Sequence, residues 1–434
     1  MRENTRLNRF LVMIVSLGVI ATFFYNFGSY SDMGPATYSA LRWSDGRSAG
    51  ESAATQSFDD WTRERMLGQV HEAGARLSKA VNISFDADKP QISRGIAVYF
   101  PASEVQHEKE LKGFLLSIAF MRTSQPPSMK TDVVVFAPPR GYEFAKSIGC
   151  TEAKRTSFRD PERCIIVEHV PLFERSGVSD PLLSYKRYLD SVLMMAEYKD
   201  YSSYDYLMKS DMDTFVTPAF ADWRIPKGKI IATGKGGYSH PNADRRLSFV
   251  MKKTFGMRDE GHTNIGTTWY GSPAVLVAAC QLSVASMRWL DRIEFTEYER
   301  VQKSAGAWPF WFWPVLTMYG GHISINQIPK EKVQFQEENL MEMDLASDST
   351  GELRPSVKHI HCWHTQEFFS KFAFAEGKYD AMDLREYDHM NTPAAFSAVI
   401  ALSAVRMTTE EFKSITQDPE RMRRNEWKRL SPVT

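Results

Sequence analysis

The sequence predicts an α/β fold with a mostly parallel central sheet flanked by helices. Three observations lead there. Short apolar runs rich in Val and Ile alternate with stretches of helical periodicity, turn residues bound each run, and 434 residues suit one large elaborated domain. The 53 basic residues cancel the 53 acidic ones, so bulk charge gives no reason to expect nucleic acid as a partner.

The N-terminus decides the expected compartment. Arg2, Arg6 and Arg9 precede an uncharged apolar run over residues 10–25, long enough for a thin bilayer of the early secretory pathway. Positive charge before that run and none directly after it predict a cytosolic tail (1–9), a signal anchor (10–25) and a lumenal body. A cleaved signal peptide is the alternative, although no small-x-small site follows the run. Residues 26–90 read as a stem, because GSYSDMGPATYSALRWSDGRSAGESAATQS cannot bury enough surface to fold. One amphipathic helix over 58–80 lies within it, with Trp61, Leu67, Val70 and Leu77 loosely on one side. Asn82-Ile83-Ser84 is the single glycosylation sequon.

The body is expected over residues 91–390, followed by a C-terminal extension over 391–434. GIAVYF (95–100), DVVVFA (132–137) and CIIVEHV (164–170) read as strands; Leu111, Phe114, Leu115 and Ile118 mark a helix between the first two. A long helix is predicted over 182–198, then a fourth strand over 204–208. Ligands of such sheets bind beyond the carboxyl ends of the strands, and Asp211 and Asp213 lie at such an end. Cys150, Cys164, Cys280 and Cys362 show neither C-x-x-C nor zinc spacing; in a lumenal chain Cys150 with Cys164 is the plausible local bridge.

In KSDMDTFVTP, residues i and i+2 of an extended segment point the same way, so Asp211 and Asp213 can converge on one divalent cation. Two carboxylates that close repel unless a cation or proton relieves them. A turn cap is the bland alternative. A D-x-D phosphatase fits poorly, since Thr214 comes one place too early for that motif.

Strand, D-x-D, a downstream Gly-rich loop and a late histidine together resemble the GT-A class of glycosyltransferases. KSDMDTFVTP, GKGGY, NIGTTWYG, WPFWFWPVLTMYGG and HIHCWHTQEFFSKFAF resemble the segments of a eukaryotic domain family of algae and other protists that looks GT-A-like, over residues 91–380. The resemblance implies a GT-A nucleotide-diphospho-sugar fold, manganese or magnesium at Asp211 and Asp213, a nucleotide-sugar donor, and a glycan, protein or lipid acceptor. It implies a late histidine, His361 or His364, as a further metal ligand, and Lys371 on the donor diphosphate. Asn264, in NIGTTWYGS, resembles the Asn-x-Gly segment that retaining members place beside the donor sugar.

Lys209, Arg187, Gly236 and Gly237 complete the expected donor site, although Arg187 and Lys186 read more readily as solvated helix surface and the glycines equally as a plain turn. Asp259 and Glu260 keep inversion open. Ser272 and Pro273 are expected to cap and open a helix reaching Leu290. Trp308, Phe310, Trp311, Phe312 and Trp313 suit acceptor stacking, the membrane surface or the core, and the core is favoured for at least half of them. The expectation is a single-pass type II enzyme of the Golgi or endoplasmic reticulum, with an inactive carbohydrate-binding or scaffold protein of the same fold as the alternative.

Overall fold

The computed structural model describes residues 53–429, apart from residues 87, 155–156, 179, 186–187, 302–309, 336–341, 363–367 and 388, with side chains described from residue 62 onward. The chain divides into two units, 1–62 and 63–434; of the first, only the start of one helix is described. The expected tail, the anchor and the first part of the stem, residues 26–52, therefore lie outside the described residues.

A seven-stranded sheet organises the second unit. In chain order its strands are β1 (Ile92–Tyr99), β2 (Met129–Ala137), β3 (Cys164–Glu168), β4 (Tyr206–Lys209), β6 (Ile231–Lys235), β7 (Ile265–Gly271) and β8 (Val333–Gln334), arranged β3-β2-β1-β4-β7-β6-β8. A smaller sheet, β5-β10-β9, is formed by β5 (Thr214–Val216), β9 (Leu345–Ala346) and β10 (His359–His361). All neighbours in the large sheet are parallel except at β7, which runs antiparallel to both β4 and β6.

Alternation along the strands explains why these runs read as continuously apolar. Ala97, Val134 and Phe136 enter one core, whereas Ile96, Val98, Val133 and Val135 enter the other, so both sheet faces are covered. The first core is closed by α1 (Ala53–Val81), through Met66, Val70, Ala73 and Leu77, and by α5 (Pro273–Trp289). The second is closed by α2 (Val105–Arg122) and by α8 (Pro393–Arg406). Residues expected in the stem and in the C-terminal extension thus contribute to these cores. Other helices used below are α3 (Leu189–Ala196), α4 (Pro241–Phe249), α6 (Leu316–Ile325) and α7 (Lys371–Ala375).

Two expectations change in detail. The long helix over 182–198 is a 3-10 turn at Pro181–Ser184 followed by the shorter α3, because Tyr188 adopts φ 53° at the junction and a left-handed residue ends helical hydrogen bonding. Ile265–Gly271 of NIGTTWYG form the buried strand β7, a strand that its small and polar residues did not announce. Pro273 opens α5 as expected, but Ser272 serves as N-cap through its backbone position alone, with no side-chain capping bond. By length and hydropathy Pro273–Glu294 could cross a bilayer, yet it is 83% buried inside the protein and acts as a core helix. Cys150 and Cys164 form a disulfide, closing a 14-residue separation, whereas Cys280 and Cys362 are free and buried.

Candidate functional site

The site lies where β4 ends. Parallel strands leave their carboxyl ends pointing the same way, and the D-x-D segment emerges from β4 directly into the antiparallel pair β5–β10. Register decides what faces the aspartates: Thr214 pairs with His361, and the Cys362 N–H donates to the Asp213 carbonyl at 2.9 Å. A segment almost 150 residues downstream is thereby stitched beside the motif. Asp211, Asp213 and His361 each offer a ligand atom, and these atoms lie within 4.8 Å of one another. Among the described residues they form the only such cluster of His, Cys, Asp and Glu.

The D-x-D turn is braced from below. The Thr214 hydroxyl donates to the Asp211 carbonyl at 2.7 Å and lies 2.9 Å from the Ser210 hydroxyl, which itself contacts His359 Nε2 at 2.9 Å. These bonds fix the turn that carries the two carboxylates.

Two lysines balance the charge. Lys371 Nζ, at the start of α7, donates to Asp213 Oδ2 at 2.6 Å, leaving Asp213 Oδ1 to face His361 Nε2 at 3.5 Å. Lys209, the last residue of β4, is 2% exposed; its ammonium donates to the Thr267 carbonyl at 2.9 Å and stands 3.5 Å from Asp211 Oδ1. Burial works against ionisation of Asp213, but the neighbouring Lys371 and His361 outweigh it and hold its carboxyl well below the usual range. Burial also works against His361, yet Asp213, then Asp344 and Asp211, push the imidazole up to about 9.

Two acidic residues escaped sequence reasoning. Asp344, 1% exposed and placed just before β9, accepts from the Thr268 hydroxyl at 2.6 Å and faces Nδ1 of both His359 (3.2 Å) and His361 (3.6 Å). It lies in no motif, and nothing in its neighbours, Met343 and Leu345, signals a site. Glu110, on α2, lines the same narrow cleft as Asp213 and Lys371; burial first, and then the Asp213 charge, push it up to about 7. The apolar periodicity of α2 concealed it.

The remaining expected residues distribute unevenly. His364 and Arg187 lie outside the described residues. Asn264 sits at the entry to β7 with φ 55°, and its carbonyl accepts the Gly236 N–H at 2.7 Å, so the GKGGY and NIG segments are joined by a backbone bond. Gly236 is buried and Gly237 exposed. A side chain at Gly236 would meet the Ile265 carbonyl at 2.8 Å, which is reason enough for glycine there. Asp259 is engaged by the Ser248 hydroxyl at 2.5 Å and by Lys252 at 3.0 Å.

Of the aromatic cluster, Trp313 is buried and Phe310, Trp311 and Phe312 are half-buried. Trp313 donates its indole N–H to Asp291 at 2.6 Å, and Trp311 stacks on Tyr319 (4.7 Å) and Phe295 (4.5 Å) beneath the Arg246 guanidinium. Phe310 packs on His240 at 4.4 Å, while Trp308 lies outside the described residues.

A family model described as "Domain of unknown function (DUF7164)" matches residues 88–429. The chain belongs to that family. No curated protein matches the sequence. Among solved structures, the apo form of mouse xyloside xylosyltransferase 1 aligns at 12% identity and a TM-score of 0.32, over 57% of this chain and 85% of that one. The apo WbbM bifunctional glycosyltransferase aligns at 14% identity and 0.33, over 66% of this chain and 47% of that one. The DUF7164 match runs from just before β1 to the final helix, so it takes in both sheets and α8.

Proposed function

We propose that this DUF7164 protein is a divalent-ion-dependent glycosyltransferase of GT-A type, moving a sugar from a nucleoside-diphosphate sugar to a glycan, protein or lipid acceptor. The observation that carries the reading is the convergence of Asp211, Asp213 and His361 at a strand's carboxyl end, with Lys371 alongside. Two carboxylates and one imidazole fit manganese well and magnesium acceptably, whereas calcium prefers oxygen alone. Such an ion, when bound, would neutralise charge gathering on a departing diphosphate.

The chain's own residues supply the rest. Asp211 and Asp213 Oδ1 would hold the ion from one side and His361 Nε2 from the other. Lys371, already fixed by Asp213 Oδ2, presents a compact positive charge to a diphosphate oxygen. Lys209 adds a second charge at the floor, and its bond to the Thr267 carbonyl keeps it from collapsing onto Asp211. Asn264, Gly236 and Gly237 would border the donor sugar, with Arg187 and His364 as further donor and metal contacts. Retention is the outcome we favour, because Asp259 is committed to Ser248 and Lys252 and Glu260 faces Arg258 at 3.9 Å. Asp259 is thereby occupied, while Glu260 stands near a surface arginine.

For location we propose a single-pass type II protein of the Golgi or endoplasmic reticulum. The Cys150–Cys164 disulfide supports a lumenal body, since such bonds persist in oxidising compartments.

The test is a thermal-shift screen of nucleotide sugars with and without Mn2+, followed by turnover assays. At least one nucleotide sugar is expected to raise Tm only when Mn2+ is present, and Asp211→Ala or Asp213→Ala to abolish both the shift and turnover. No shift across the whole panel, or undiminished turnover in both variants, refutes the proposal.

A further inference from the structure

Two glycines, Gly234 of GKGGY and Gly266 of NIG, have a steric purpose that points toward Asp344. A Cβ added at Gly234 would lie 1.7 Å from Asp344 Oδ2, and one added at Gly266 would lie 2.3 Å from the same atom. Gly234 falls at the irregularity in the β6–β7 ladder between Thr233 and Lys235, opposite Gly266. Two backbones without side chains thus form a pit in the large sheet, and the Asp344 carboxylate fills it.

Asp344 reaches that pit at a conformational cost. Its φ is 56°, a left-handed conformation that only glycine adopts freely and that Asp and Asn tolerate best among the other residues. Three unusual local choices, two obligatory glycines and one left-handed aspartate, therefore serve a single buried negative charge. Burial of a carboxylate is unfavourable unless partners repay it. The Thr268 hydroxyl and backbone N–H and the His359 ring do so in part, and the Nδ1 edge of His361 is a further neighbour.

We propose that Asp344 is a positioning residue that acts on the ion through His361. The His361 ring is flanked on both edges: Nδ1 stands 3.6 Å from Asp344 Oδ1 and Nε2 stands 3.5 Å from Asp213 Oδ1. At 3.6 Å the Asp344 carboxylate is beyond hydrogen-bond reach, so it acts by its charge, favouring the proton on Nδ1 and leaving the Nε2 lone pair directed toward Asp211 and Asp213. His359 extends the same anchor. It spans Asp344 and Ser210, so one carboxylate orients the late histidine and also touches, through one ring, the turn that carries Asp211. Gly234 and Gly266 act by admitting Asp344, and Thr268 by holding it.

This inference rests on the ion site proposed above, and the experiment separates the two. Mn2+ affinity is measured by electron paramagnetic resonance on the metal alone, for wild type, Asp344→Asn, Thr268→Val, His361→Ala and the Asp344→Asn/His361→Ala double variant, with Tm recorded without metal. Asp344→Asn is isosteric and keeps a residue type that tolerates the left-handed backbone; Mn2+ affinity is expected to fall about ten- to hundredfold. In the His361→Ala background the same change is expected to have no further effect, because its route to the ion is gone. Equal losses in both backgrounds, or wild-type affinity in a folded Asp344→Asn protein, overturn the positioning role. Should Asp344→Asn fail to fold, Thr268→Val decides: a several-fold weaker Mn2+ affinity supports the role and wild-type affinity overturns it. Absence of Mn2+ binding in the wild type removes the ion site itself, whatever the variants do.

Discussion

Two buried charged clusters sit at opposite ends of the central sheet, and they are built in opposite ways. Near the amino end of β1, Arg94 is fully buried, and its guanidinium is saturated: it donates to the carbonyls of Phe220 (2.7 Å) and Ala221 (2.8 Å), to the Thr131 hydroxyl (3.0 Å) and to the Gln125 side chain (2.8 Å). All of these partners are neutral, and each lies within normal hydrogen-bond reach. At the carboxyl end of β4 the arrangement is reversed. Asp211, Asp213 and Asp344 crowd around His361, and although Lys209 and Lys371 offset their charge, several approaches stop at 3.5–3.6 Å, beyond a full hydrogen bond. A charge fully satisfied by the fold needs nothing more, whereas like charges held together at a strand end are the mark of a group waiting for a ligand. Burial therefore does not separate structure from function here; completeness of the hydrogen bonding does.

The comparison breaks if the two clusters respond alike to mutation. Asp213→Ala is expected to have the largest functional effect. Mn2+ affinity should fall by more than the roughly hundredfold that loss of an outer-shell partner costs. Arg94→Met should do the reverse. Four acceptors lose their donor at once, so stability should drop by about 3–5 kcal/mol in denaturant unfolding while Mn2+ affinity of the folded protein is unchanged. A smaller and independent perturbation sharpens the contrast. Replacing Cys150 and Cys164 by serine removes a crosslink over a short loop and should cost about 3 kcal/mol, again without moving Mn2+ affinity. If affinity follows stability in these variants, ion binding reports general folding and the distinction fails.

The smallest expected effect is on pH. His361 must shed its proton to ligate an ion, and its pKa is raised to about 9 by the surrounding carboxylates after burial has opposed it. Mn2+ affinity should therefore climb by up to tenfold per pH unit between about 7 and 9 and then level off. The sign for stability is opposite. A histidine with a raised folded-state pKa contributes ion-pair stability fully below its unfolded value of about 6.5, and that contribution is lost as pH rises through about 9. Affinity titrations and metal-free unfolding curves across that range should slope in opposite directions.

Much of this could be read from residues in order. VVV and II runs bounded by turns identify β1, β2 and β3 because strands buried on both faces need apolar side chains at every position, a local requirement that leaves a local trace. Leu111, Phe114, Leu115 and Ile118 located α2 for the same reason. Asp211 and Asp213 stood out because their spacing is itself the chemistry. The Cys150–Cys164 bridge was legible because its partners lie close in sequence as well as in space.

Only the tertiary structure assigned the rest. His361 faces Asp213 because β10 pairs with β5 in one register, and a shift of one residue would have presented Ile360 instead. Asp344 carries no motif; its importance exists only because Gly234 and Gly266, 110 and 78 residues before it, leave it room. Lys371 was expected on a diphosphate and is held by Asp213, a partner that a linear pattern cannot name. Side-chain periodicity is written into consecutive residues by the geometry of a single strand or helix, but the meeting of charges from distant segments is fixed by sheet register and close backbone approach, and neither leaves a mark on any one stretch of sequence.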